Sequence, residues 1–143
     1  MSKYDLVADI GATNARFALT RGSSLELLNI KVLACADYLN LETAVTDYLA
    51  STNAVGLIGK ACIAIAGTVH LPEFSLANNH WRVNKAQVHA ALKVETLWIN
   101  DFTAQAWAMS EVTSEELLLV KQGQTEARGN RLVMGPGTGI GVA

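Results

Sequence analysis

Only two cysteines occur, Cys35 and Cys62, far apart and in neither a Cys-x-x-Cys nor a Cys/His zinc spacing. That pattern offers no disulfide framework and no structural metal centre, and reads as two buried reduced thiols. No apolar run approaches the roughly 20 residues of a membrane-spanning helix. The opening Met1-Ser2-Lys3-Tyr4-Asp5 has no signal-peptide pattern, so a cytoplasmic protein with no membrane partner is expected. Lysines and arginines stand singly and the formal net charge is −2, which gives no electrostatic footprint for nucleic acid. The glycine spacings of a P-loop and of a dinucleotide fingerprint are both missing. What is present is a chain of 143 residues, 50% of them hydrophobic, long enough to bury a sizeable core.

One stretch organises the rest. Leu6, Val7, Ala8 and Ile10 read as a buried strand that reaches a carboxylate at Asp9 and then turns through Gly11, Ala12, Thr13 and Asn14. Small residues leave room for a ligand at the backbone, Thr13 and Asn14 add hydrogen-bonding side chains, and exposed turn amides suit an anion. Residues 15–20, starting with Ala15 and Arg16, return as a strand rather than opening a helix. Asp9 would repel a phosphate beside it unless a divalent cation such as Mg²⁺ lies between them, which favours a nucleoside triphosphate over free phosphate. An ordinary hairpin with a polar turn fits the same residues.

Further along, residues 25–34 read as a third antiparallel strand, and residues 41–49 as an amphipathic helix with Glu42 near its positive end. Residues 61–66 form a short continuous apolar run, as in an interior parallel strand covered on both faces. The polar cluster Asn78-Asn79-His80-Trp81 closes an irregular loop in which His80 and Trp81 are expected to cap a core edge. Asn84 caps a helix to about Leu92, with Val88, Ala91 and Leu92 facing inward. Residues 96–99 make another buried strand that ends at Asn100-Asp101, before a helix over 102–109. Trp98 and Trp107 are expected to pack. The carboxyl end of such a strand is where open α/β sheets bind ligands, so Asp101 is a candidate acid, although an aspartate there also serves as a helix N-cap. Residues 114–120 read as a turn of helix and a strand, and residues 131–134 as a strand running into Gly135-Pro136-Gly137-Thr138-Gly139-Ile140-Gly141. Four alternate glycines exceed what a turn needs and point to close backbone approach by a ligand. Aligning Thr138 with Thr13 makes this an echo of the first turn, as in a duplicated fold.

These segments resemble those of the sugar kinases in the actin-like, ribonuclease-H-like superfamily, most closely the bacterial glucokinases without a zinc site. Residues 9–16 resemble the first phosphate motif, residues 99–104 the catalytic segment, residues 135–141 the second phosphate motif and residues 77–81 the sugar loop. Ala12 departs from the usual glycine and adds a methyl where backbone meets phosphate. The resemblance implies an α/β, ribonuclease-H-like domain over 1–130. Its mixed five-stranded sheet would start as an antiparallel meander of three strands, continue with parallel strands and carry helices on both faces. Residues 131–143 would begin a second domain. It further implies ATP and Mg²⁺, with glucose phosphorylated at its 6-hydroxyl. Asp101 would be the catalytic base, and Asn100, Asp101 and Asn78 would bind sugar. Gly11, Ala12, Thr13, Asn14, Arg16, Gly137, Thr138 and Gly139 would hold phosphates, and Asp9 would hold Mg²⁺ through water. The full-length enzyme would be a homodimer, its remaining sugar ligands and adenosine pocket would follow Ala143, and the 143-residue chain would be inactive alone. Rival readings are a kinase for another hexose or N-acetylhexosamine, a sugar-sensing repressor and an actin- or chaperone-like ATPase. The first strand starts near Lys3, without a DNA-binding module before it, which weighs against the repressor, and the Asn100-Asp101 pair has no use in the ATPase.

Overall fold

The structure, a computed structural model, describes residues 3–76, 78–124, 129–136 and 140–143. It divides into two compact units, Met1–Asp101 and Phe102–Ala143. The boundary expected between residues 130 and 131 falls inside the second of these.

Alternation builds the first unit. Strand β1 (Tyr4–Ile10) buries Leu6, Ala8 and Ile10 while Asp9 stays exposed. Strand β2 (Asn14–Thr20) runs back beside it, and β3 (Leu28–Ala34) completes the meander. The third strand starts later than the sequence implies because Ser24 Oγ accepts from Glu26 N and prolongs the preceding turn, leaving Leu25 and Leu27 exposed. Helix α1 (Leu41–Ser51) opens with a reciprocal cap: Asn40 Oδ1 accepts from Thr43 N, and Thr43 Oγ1 accepts from Asn40 N. Strand β4 (Ile58–Ile65) then lies parallel to β1. A two-stranded hairpin of β5 (Glu73–Ser75) and β6 (Arg82–Asn84) closes the loop that follows, and Asn84 Oδ1 caps α2 (Lys85–Leu92) by accepting from Ala86 N and Gln87 N. Strand β7 (Glu95–Asn100) pairs parallel with β4, so the sheet order is β3-β2-β1-β4-β7, antiparallel on one side and parallel on the other.

The core lies against one face of this sheet. Leu6, Ile10, Phe17, Leu19, Ile63 and Ile65 meet Val45 and Tyr48 of α1 and Val88 and Leu92 of α2 in a single cluster, where Phe17 stacks on Tyr48 at 5.1 Å between ring centroids. Each such side chain removes about 1.5–3 kcal/mol worth of apolar surface from water. Ala91 is exposed instead of facing inward, because a helix of eight residues buries only its 88/92 pair. The opposite face is not covered by α1 or α2: Cys62 and Ala64 are half-buried, Leu97 is exposed, and β4 therefore alternates rather than being buried on both faces. Of the two thiols, Cys35 is buried and Cys62 half-buried.

Helix α3 (Asp101–Ala108) starts on the last residue of the first unit; in the second, from Phe102 on, it leads to a 3-10 turn at Ser114–Glu116. The strand expected over residues 117–120 is absent, and Leu118 and Val120 are exposed. A run of apolar, strand-forming residues cannot hold a strand that, among the described residues, has no neighbour to accept its ladder bonds. Trp107 is likewise exposed instead of packed, whereas Trp98 is half-buried and meets Phe74 edge-on. Strand β8 (Met134–Pro136) pairs with β9 (Ile140–Val142), and Val133 and Ala143 exchange both backbone bonds at 2.9 Å.

Candidate active site

Parallel pairing sets the site. Ile10 of β1 is opposite Ile65 of β4, which is opposite Asn100 of β7, so three carboxyl ends share one sheet edge. Ala66 N donates to Ile10 O at 3.1 Å and holds the loop after β4 against the end of β1. At roughly 4.8 Å per strand, Asn100 lies about 10 Å across the sheet from Ile10. Asp101 follows, half-buried, as the first residue of α3, so the strand-end and helix-start readings both apply.

The turn after β1 is narrow. Gly11 N donates to Asn14 O at 3.0 Å, and Cys35 N donates to Thr13 O at 2.8 Å. A Cβ built on Gly11 would meet only Asn14 O, at an ordinary 3.5 Å, and Gly11 does not have positive φ. Neither strain nor internal packing demands glycine there. Ala12 also lacks positive φ, so its methyl adds no backbone strain. Thr13 is exposed and Asn14 half-buried. Arg16 NH1 donates to Asp9 Oδ2 at 2.9 Å, so the carboxylate assigned to Mg²⁺ and the guanidinium assigned to phosphate are paired with each other, and only one oxygen of Asp9 is engaged by that bond.

Asn78, exposed and with φ of 58°, belongs to the loop between β5 and β6, and its neighbour Asn79 donates from Nδ2 to Gly11 O at 3.2 Å. The first unit thus brings the sugar-loop and phosphate-turn candidates together. His80 and Trp81 cap the core as expected: Nε2 of His80 and Nε1 of Trp81 both bond Tyr38 O, at 2.9 and 3.0 Å, and Trp81 is fully buried. Burial pushes the Cys35 thiol above its ordinary value, with a partly opposing hydrogen bond from Asn79.

The glucokinase family model matches residues 6–143. The chain belongs to the glucokinase family. It is 49% identical over 139 residues to a glucokinase of Pseudomonas aeruginosa, covering 96% of this chain and 41% of the relative. Among solved structures, it resembles a glucokinase from an Antarctic psychrotroph with a TM-score of 0.79 and 32% identity, over 99% of this chain and 46% of that one. A ROK family glucokinase of Streptomyces griseus, solved with glucose and AMPPNP, shares the fold with a TM-score of 0.62 and 19% identity, over 97% and 43% of the two chains. The chain therefore spans less than half the length of these glucokinases.

Gly137, Thr138 and Gly139, expected to hold phosphate, lie outside the described residues, as does Ala77. The glycines flanking residues 137–139 have a packing role. A methyl on Gly141 would overlap the Phe102 ring, and one on Gly135 would sit 3.1 Å from it, so the aromatic ring is packed closely against both glycines. That Asn79 and Cys35 both reach the Gly11 carbonyl is not expected from the sequence. The only signal was the polar density of residues 78–81, since nothing local shows which side chain of that loop reaches the turn 68 residues away.

Proposed function

We propose that the whole enzyme to which this chain contributes transfers the γ-phosphoryl group of ATP to the 6-hydroxyl of glucose, in the cytoplasm and as the opening step of sugar breakdown. The observation that supports it is the shared sheet edge: a ligand-sized turn at residues 11–14 and a carboxylate, Asp101, at the end of a strand two places away. The glucose and AMPPNP held in the Streptomyces griseus structure fit that division of labour.

Asn100 and Asp101 bind the sugar from the end of β7, and Asn78 from the facing loop. Asp101 takes the proton of the 6-hydroxyl as that oxygen bonds to the γ-phosphorus, while the bond from this phosphorus to the bridging oxygen breaks and ADP leaves. Gly11, Ala12, Thr13 and Asn14 offer backbone and side-chain donors to phosphate, with Arg16 adding charge, and residues 137–139 supply the second grip. Asp9 suits a hydrated Mg²⁺ because its carboxylate is half-exposed and keeps one oxygen outside its pair with Arg16. Bound Mg²⁺ supplies neutralisation of phosphate charge, and the chain's own groups supply position. Residues 131–143 begin the second domain, the whole enzyme is a homodimer, and the 143-residue chain alone turns nothing over.

Release of ADP by the whole enzyme, measured with glucose, mannose, fructose and N-acetylglucosamine, tests the reading. Turnover that depends on glucose and exceeds that with the other sugars is expected. ATP hydrolysis indifferent to sugar would overturn it.

A further inference from the structure

The carbonyl oxygen of Gly11 accepts from two distant side chains, Asn79 Nδ2 at 3.2 Å and Cys35 Sγ at 3.8 Å. Cys35 is buried and Asn79 half-buried, so this oxygen is directed into the protein. The described residues hold no cis peptide bond, and a planar trans peptide points its N–H and C=O to opposite sides. Anchoring the Gly11 carbonyl inward therefore turns the Ala12 N–H outward, where an anion approaches the turn.

The other end of the same amide is equally committed. Asn79 Oδ1 accepts from Trp81 N at 2.8 Å, which folds residues 79–81 into a side-chain-closed turn. Beyond it, Tyr38 O accepts from Trp81 Nε1 and from His80 Nε2, so His80 carries its proton on Nε2. Immediately before it, Asn78 adopts φ of 58°, a conformation asparagine tolerates better than most residues. One side chain thus joins the turn after β1 to the loop that presents Asn78.

We infer that Asn79 is a positioning residue that aims the Ala12 amide at phosphate and seats Asn78 for sugar, so the two substrate grips are built as one piece. The inference rests on the proposed function for the identity of the two ligands. The Asn79 carboxamide donates to the Gly11 carbonyl from its nitrogen and accepts from the Trp81 amide at its oxygen, two tasks that a carboxylate cannot share and that a hydroxyl must meet from a single atom. Aspartate keeps the bond from Trp81 N but sets a carboxylate against the Gly11 carbonyl, and serine keeps the acceptor but is too short to reach Gly11.

The test compares Asn79→Asp and Asn79→Ser with the parent in the whole enzyme. In folded variants, the dissociation constant of Mg·ATP without sugar is expected to rise about tenfold, with KM for ATP following it and KM for glucose rising about threefold. A purely structural role would lower the melting temperature and leave these constants alone. A folded variant that holds the Mg·ATP dissociation constant and both KM values within about twofold of the parent overturns the inference. Should neither variant fold, amide exchange at Ala12 in the parent decides: slowing by Mg·ATP supports the assignment, and unchanged exchange defeats it. A parent that does not phosphorylate glucose defeats the proposed function instead, while the Mg·ATP constant still decides the role of Asn79.

Discussion

Arg16 lies directly opposite Asp9 across the β1–β2 ladder, and its NH1 donates to Asp9 Oδ2 at 2.9 Å. Each side chain is about half exposed, at 53% and 51%, so the pair stabilises the fold by no more than about 1 kcal/mol. Arg16→Gln should therefore shift the melting temperature by only about 2 °C. If the guanidinium contacts phosphate, the same change weakens Mg·ATP binding about tenfold, and the loss shrinks as salt is added. Calorimetric titration of the whole enzyme at two ionic strengths reads this directly. An unchanged affinity would leave Arg16 the single task of holding Asp9.

Asp101 offers the sharpest kinetic contrast. Asp101→Asn retains shape and hydrogen bonding but cannot take a proton, so kcat should fall about a hundred- to ten-thousandfold. Glucose binding should stay measurable by titration. Turnover within a few-fold of the parent would remove Asp101 from the proton transfer.

Glu42 places both carboxylate oxygens out of solvent without a hydrogen-bond partner among the described residues, and burial pushes its carboxyl above the ordinary value. With the folded value raised, its stabilising contribution is present below the unfolded value and is lost as pH rises through the folded one. At neutral pH the charged group weakens the fold. Glu42→Gln should accordingly raise the melting temperature by about 1–3 °C at pH 7, a modest gain because the residue is only partly buried. The difference should vanish below about pH 4, where the carboxyl is protonated in both states. Thermal melts across that range test it, and a constant difference would contradict the assigned cause.

Gly141 and Phe102 make a size-matched pair in the second unit. Gly141→Ala should cost that unit about 1–3 kcal/mol by overpacking. The loss should appear as faster amide exchange at Val133 and Ala143, whose paired bonds close the β8–β9 ladder. Adding Phe102→Ala should restore part of the protection. If the double variant exchanges as fast as Gly141→Ala alone, steric overlap is not the reason for the glycine.

Much of the fold was legible because its signals are local. Leu6, Ala8 and Ile10 announce a half-buried strand by alternation, and Asn84 announces a helix start because its short side chain reaches the amides of the next turn. The errors have physical causes as well. Residues 117–120 have strand composition but no partner strand among the described residues, and Ala91 has the apolar character but not the direction for the core. The glycines at 135 and 141 illustrate a subtler limit, since a missing side chain shows that something comes close without saying whether it is a phosphate or a phenyl ring.

The sequence by itself determined the small-residue turn at 11–14, the carboxylates at 9 and 101 and the strand that ends at Asn100, because composition, alternation and spacing are properties of neighbouring residues. Tertiary structure alone decided that Ile10, Ile65 and Asn100 share an edge, that Arg16 occupies one oxygen of Asp9, and that Asn79 holds Gly11. The reason is the same in each case. Strand order, register and the reach of a side chain across 68 residues arise from chain segments meeting in space, and no local pattern encodes which carbonyl an amide will find.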